Sequence, residues 1–285
     1  MTSTSTTSTS TTAPKELGEI RRRDMDFEFA EDFPRYWAAG AAVPTHMANA
    51  LHLIFPMGER FFVRSVRRFE ASITDPLLRA QIKGFYAQEG SHAREHERVF
   101  ALLEGQGYDI QGFLSLYRKL AYAFIERVSP AKLRLAATAA LEHYTAIMAE
   151  NALLHGLVER IHPEMRALLL WHACEEIEHK AVAYDVLQAV APGYPLRVAG
   201  MVMATSTLIG FWFLGTAMLL RQEKGLGWRE IVRQLRASGK ENPVGRKVFV
   251  RGLREYLRRD FHPWQTDNLG MARAYLERVT RAAAA

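Results

Sequence analysis

The sequence predicts an all-α protein built around a helical bundle. Helix start and stop signals recur at helix-length intervals, and no stretch alternates apolar and polar residues with the period of two that strands need. Glutamates and histidines three apart also sit on faces that are otherwise apolar. The first long helix begins near Thr45 and runs through HMANALHLIFPMGERFFVRSVRRFEAS, with Pro56 inside it as an expected kink. Asp75-Pro76, an N-cap followed by proline at the first helical position, opens a second that ends before Gly105 and Gly107. A third spans Ile110 to Val128, and Ser129-Pro130 repeats the cap-plus-proline signal to open a fourth through about Gly156. His162-Pro163 opens a fifth, which continues to Val190 before Pro192, Gly193 and Pro195 stop it. Five long helices with short connections make a bundle.

At 285 residues with 48% hydrophobic content, the chain is long enough to bury one sizeable core. The expected organisation is a disordered Ser/Thr-rich tail over 1–14 and a single helical domain over 15–285. Within it lie the bundle at about 45–191, an apolar helix at about 195–222 and a basic helical region at 223–285. The single cysteine, Cys174, excludes an intrachain disulfide and any Cys-rich zinc or iron–sulfur site, so the chemistry rests on His and carboxylates. It also makes a reducing, cytoplasmic setting the default expectation. The net charge is +6, and Arg221 to Asp260 alone carries twelve Lys/Arg against five Asp/Glu. No Gly-rich phosphate loop or RNA-binding signature accompanies this excess, so nucleic acid is not an expected partner; a membrane surface or ordinary solvation is.

The second helix contains QEGSHAREH, in which Glu89 and His92 share a face with His96. Leu78, Ile82, Phe85, Phe100 and Leu103 lie on the same stripe. The fifth repeats the arrangement in WHACEEIEHKAV, where Glu176 and His179 form the same pair, His172 sits one turn before Glu176, and Met165, Leu168, Leu169, Ala183 and Val186 share the face. Ionisable groups written into a buried face need a compensating charge, and metal ions supply it most simply. Two further helices each add a glutamate in apolar surroundings, Glu59 in IFPMGERFF and Glu142 in AATAALEHYTA. One Glu from each of two helices plus Glu-x-x-His from each of two others is the ligand set of a ferritin-like bundle with a dinuclear site. The expected cofactor is two Fe ions, with Mn or Zn as alternatives.

The chain resembles the bacterial family of predicted metal-dependent hydrolases through FPMGERFF, QEGSHAREH, ALEHYTA and WHACEEIEHKAVAYDV, across roughly 45 to 190. Its ligand order is also similar to that of the di-iron arylamine N-oxygenases, whose last ligand helix carries a further His four residues before the Glu-x-x-His glutamate. His172 occupies that place, and the resemblance implies that it is a seventh ligand. Glu175, four before His179, rivals Glu176 for the ligand role. His96 and His143 are expected beside the ligands or in the core, Cys174 is expected to be inert, and Asp185, Tyr144 and Tyr184 are candidates for orienting the imidazoles.

Val198 to Leu220 is 23 residues without a charge, between Arg197 and Arg221. That length can span a bilayer, but a single crossing would place the basic stretch after Leu220 outside, against the positive-inside rule. Three uses stay open: a helix buried in the bundle or a homodimer interface, a monotopic anchor for peripheral membrane contact, or one wall of a lipid-sized pocket. Ser206 and Gly210 are expected to permit close helix packing there. The residues support a non-haem di-iron enzyme that oxidises or oxygenates a small apolar, aromatic or lipid-like substrate with an external electron donor. The alternatives are a dinuclear metal-dependent hydrolase and a metal-binding or membrane-associated protein without turnover.

Overall fold

The computed structural model describes residues 19–154 and 157–283. The tail 1–14 and the expected end of the fourth helix near Gly156 lie outside the described residues. The described chain is helical with no β-sheet, its one extended pairing being an isolated bridge between Ala38 and Ile161.

Helix α1 spans Ala42–Arg67 and continues through Pro56. Helix α2, Pro76–Gly105, starts as the sequence predicts: the Asp75 carboxylate accepts from the Leu77 N–H at 2.9 Å, and Pro76 fills the first position. The third helix opens as α3, Gln111–Tyr117, and widens into a π-helical run over Arg118–Glu126. Such widened turns are rare in soluble proteins and often border functional sites. Helix α4, Ala131–Leu154, follows Pro130, but Ser129 does not cap it; its Oγ donates back to the Ile125 carbonyl at 2.7 Å and closes the preceding helix.

The fifth helix is two. Helix α5, Pro163–His179, ends at a turn over Lys180 and Ala181, and α6, Val182–Val190, resumes after it. No proline or glycine marks this break. Lys180 is buried at it, and its Nζ donates to the Thr266 carbonyl and Asn268 Oδ1, both at 2.7 Å. The long apolar helix α7, Tyr194–Leu220, has proline in its first turn, and the chain closes with α8 (Trp228–Glu241), α9 (Arg251–Tyr256) and α10 (Leu269–Ala283).

Helix α4 is the hub: it packs against α7, α5 and α6, while α1 packs against α2 and α7. Leu53, Phe62, Ile82, Phe85, Leu135, Met165 and Leu168 form the core between them. Gly200 lets α7 close on α4, since a Cβ there would lie 2.5 Å from the Ala136 carbonyl carbon. Gly215 makes the equivalent approach to Ala50 and Phe113. Ser206 and Gly210, the small residues expected at the packing seam, face outward instead, because the inward stripe of α7 runs through Gly200, Ala204, Leu208, Phe211 and Gly215.

Candidate metal centre

Four helices converge on one buried cluster. Glu59 comes from α1, Glu89 and His92 from α2, Glu142 from α4, and His172, Glu176 and His179 from α5. Three overlapping triads, Glu59/His92/His172, Glu89/His92/Glu176 and Glu89/Glu142/His179, each bring donor atoms within 4.8 Å of one another. The seven candidate ligand positions therefore lie together, and each is buried. The i, i+3 spacing does this work: it stacks Glu89 over His92 and Glu176 over His179 on the inward faces of their helices.

Glu176 Oε1 is central, 2.8 Å from His172 Nε2, 3.5 Å from His179 Nε2 and 3.6 Å from His92 Nδ1. His179 Nε2 also lies 3.1 Å from Glu89 Oε1 and 3.5 Å from Glu142 Oε2, and His172 Nε2 lies 3.9 Å from Glu59 Oε1.

Beyond the His172–Glu176 contact at 2.8 Å, the protein leaves most of these atoms without hydrogen bonds. Both carboxylate oxygens of Glu59, Glu89 and Glu142, one of Glu176, and the inward nitrogens of His92 and His179 are buried and unpartnered. Abandoning so many donors and acceptors in one place costs a few kcal/mol for each, and a cation removes the cost. The donor set fits a metal.

The titration behaviour shows the same strain. Burial, with the charge of Glu89 and Glu176 beside it, pushes the Glu59 carboxyl well above its ordinary range. Burial raises Glu89, and burial with the charge of Glu89 raises Glu142. Glu176 goes the other way: burial would raise it, but the His179 charge and the imidazole hydrogen bonds hold it well below. Burial opposes protonation of His92, yet Glu175 and Glu176 lift it to about 10, and Glu176 and Glu142 likewise lift His179. Protons thus stand where positive charge is required.

Each imidazole is held from behind, as ligating histidines usually are. His92 Nε2 lies 3.0 Å from Glu175 Oε2, which leaves Nδ1 facing the cluster. Glu175 thus stands on the outer side of His92, and Arg23 donates to it from its backbone at 3.2 Å and its guanidinium at 3.0 Å. His179 Nδ1 lies 2.9 Å from Gln88 Oε1, and Gln88 donates in turn to Glu178 at 2.9 Å, itself gripped by Arg23 at 2.8 Å.

Behind His172 stands a file of imidazoles. His172 Nδ1 is 2.7 Å from His96 Nε2, and His96 Nδ1 is 2.7 Å from His52 Nδ1. If His172 Nε2 held an ion, its Nδ1–H would donate to His96 and His96 to His52; without one, Nε2–H donates to the Glu176 carboxylate at 2.8 Å and Nδ1 accepts from His96. Burial keeps this file neutral, lowering His52 to about 3 and His172 to about 4.

Tyr144, Tyr184 and Asp185, the expected orienting residues, touch no ligand. Tyr144 meets Thr205 at 2.8 Å, Arg197 donates to Tyr184 at 3.0 Å, and Asp185 pairs with His262 at 2.9 Å, all on the far side of α4 and α6. His143 follows Glu142 by about 100°, and its Nε2 lies 3.2 Å from the Gly252 carbonyl. Cys174 is buried and its thiol is pushed up to about 12 by burial, so it is inert at neutral pH. Sequence reasoning did not find Gln88, Glu178, His52 or Arg23; the last is 152 residues from Glu175.

An apolar cavity adjoins the cluster. It holds about 790 Å³ of empty space, partly open to solvent, and is walled by α1, the π-helical run, α4 and α7, with Glu59, His172 and Glu176 at its inner end. The clustered donors and this pocket make a metal-dependent enzyme. No curated protein and no solved structure is significantly similar to the chain. Over residues 21–267 it matches the family described as predicted metal-dependent hydrolase, and the chain belongs to that family.

Proposed function

We propose that the chain is a dinuclear metal-dependent hydrolase whose centre acts on an apolar substrate held in the α1–α4–α7 cavity. The observation that carries the reading is the set of three overlapping donor triads, with Glu89 and His92 shared between them and no hydrogen-bond partner for either oxygen of Glu59, Glu89 or Glu142. Glu59, His92 and His172 would hold one ion, and Glu89, Glu142 and His179 the other, with Glu176 between. This is the ligand order of a ferritin-like bundle. Bound there, a metal pair supplies Lewis acidity toward water and toward a carbonyl or phosphoryl oxygen. The chain's own part is to orient and exclude. Glu175, Gln88 and His96 fix the imidazole faces, and Phe55, Phe61 and Leu208 keep bulk water from the inner end of the cavity.

One observation favours a second reading, a di-iron oxidase or oxygenase fed by an electron donor. The donors are imidazoles and carboxylates without a thiolate, a set suited to iron as well as to zinc or manganese. Metal analysis of protein purified without chelator, followed by anaerobic reduction and exposure to dioxygen, tests both. Two zinc or manganese ions per chain, ester cleavage and no oxygen response support hydrolysis. Two irons and an oxygen-dependent chromophore support oxidation, and absence of metal defeats both.

A further inference from the structure

The long apolar helix is not a core helix. In its most apolar stretch only 28% of residues are buried. Its inward stripe lies on α1 and α4, so it is held along the bundle surface rather than free to cross a bilayer by itself. Its outward stripe is Val202, Ile209 and Phe213, the last 75% exposed. The π-helical run does the same: its outward side chains Leu120 and Phe124, with Val128 just beyond, are exposed, Phe124 by 61%.

These two elements are also the two outer walls of the cavity. Met203, Leu208 and Phe211 of α7 face Tyr122 and Ile125 of the π-helical run across it. Two walls of the pocket therefore carry, on their outer faces, side chains that water solvates poorly, a combination monomeric soluble proteins rarely expose.

The stretch that forms the π-helical wall carries an excess of positive charge. From Ile110 to Leu141 the single acid is Glu126, and it is spent on Arg64 at 2.8 Å and Arg134 at 3.8 Å. Arg118, Lys119, Arg127 and Lys132 remain outward. A second copy of this chain would bring the same positive fringe against itself, whereas an anionic headgroup layer complements it.

We infer that this face seats on a lipid bilayer containing anionic headgroups, and that the cavity takes a long-chain acyl lipid directly from that layer to the metal centre. The mode is interfacial: the apolar stripe enters the headgroup and acyl boundary while the basic residues meet phosphates. The lining is what suits an acyl chain: Ile54, Phe62, Leu141, Met203, Leu208 and Phe211 are apolar along the path to Glu59 and Glu176. The acyl-substrate half of the inference rests on the proposed function; the docking half does not.

The test uses the full metal-loaded chain. Co-sedimentation is measured with vesicles of phosphatidylcholine alone and of equal parts phosphatidylcholine and phosphatidylglycerol, for wild type, Phe124→Asp, Phe213→Asp and Lys119→Ser. Wild type is expected to sediment with the anionic vesicles, each Asp variant to bind at least about tenfold more weakly, and Lys119→Ser about fivefold. Both aromatic positions are on the surface, so circular dichroism should be unchanged. Wild type remaining in the supernatant of both vesicle types overturns the docking, as does full binding by both Phe124→Asp and Phe213→Asp. A chain that is dimeric by sedimentation equilibrium, monomeric as Phe213→Asp and indifferent to vesicles assigns the face to a second copy and also overturns it. Occupancy of the cavity is read by cis-parinaric acid fluorescence. Saturable binding of one probe per chain is expected, with at least about a tenfold loss in Gly58→Phe, whose added side chain enters open cavity space. Probe binding unaffected by Gly58→Phe overturns the acyl pocket. Vesicle binding without bound metal leaves docking standing and defeats the proposed function alone.

Discussion

Glu175→Gln separates the residue that holds a metal from the one that aims a metal ligand. In the wild type the Glu175 carboxylate receives three hydrogen bonds, from His92 Nε2 at 3.0 Å and from Arg23 at 3.0 and 3.2 Å. A glutamine has the same shape but one acceptor oxygen. Turned toward Arg23, it sets an N–H₂ against His92 Nε2–H and forces the imidazole to the tautomer whose proton occupies Nδ1, the nitrogen that faces the cluster. Turned toward His92, it abandons the two Arg23 donors. Either way a charge-assisted bond in a buried site is lost, worth about 1.5–3 kcal/mol. Passed to the metal, this is about a tenfold to hundredfold fall in affinity, the usual cost of losing an orienting partner. Competition against a chelator of known affinity measures it, with metal analysis for stoichiometry. Glu175→Gln should keep the wild-type number of ions at saturation, while Glu176→Gln should lose about one. Wild-type affinity in Glu175→Gln would refute the orienting role. Loss of an ion from Glu175→Gln with none from Glu176→Gln would make Glu175 the ligand.

The chelated protein should lose thermal stability as pH rises from about 6.5 to about 10, because His92 is raised from 6.5 to about 10 in the fold; below that window the raised Glu59, Glu89 and Glu142 act the same way while the depressed His52 and His172 act against them. A raised group gives stability below its unfolded value that is lost as pH climbs through its folded value, so a flat profile after chelation contradicts the assignment. Arg23→Met strips a partly exposed cation from buried Glu175 and Glu178 and should cost about 1–3 kcal/mol in urea unfolding. It should also weaken metal binding, and an unchanged affinity would show that Arg23 serves stability alone. Gly200→Ala should cost about 1–3 kcal/mol, since backbone rather than a movable side chain meets the new methyl; an unchanged urea midpoint would mean that α7 can shift off α4 freely.

The helices and the donor cluster were legible because both are periodic properties. Proline at the helix starts, and Glu and His at i, i+3 on apolar stripes, carry their geometry within a few residues of sequence. Glu176 could be preferred to Glu175 only through the repeated motif; in the structure Glu176 faces the cluster and Glu175, one residue back, faces the outer side of His92. What was illegible depends on distant chain. Arg23 lies in an extended segment with no pattern to mark it, yet it ties Glu175 and Glu178 together. His52 shares α1 with Glu59 but meets His96 only because α1 and α2 pack side by side. The break at Lys180 has no local signal either; its partners Thr266 and Asn268 arrive from the far end of the sequence. Tyr144 and Tyr184 were drawn toward the site by proximity in sequence and away from it by the helical turn.

The arrangement of charge explains how such a site survives folding before metal arrives. Four buried carboxylates cannot all ionise together in a low-dielectric core, and the fold does not ask them to. Glu176 alone is held low, ringed by His92, His172 and His179, while Glu59, Glu89 and Glu142 are pushed toward the protonated form. His92 and His179 are raised into the imidazolium form. The metal-free cluster is thus balanced by protons occupying the places that two divalent ions would take under the proposed reading. Loading would then exchange those protons for cations, with His172 already neutral and backed by His96 and His52, which can take up the change of tautomer. Under the proposed reading acid should expel the ions by reversing the same exchange, and metal analysis after dialysis at falling pH reads it.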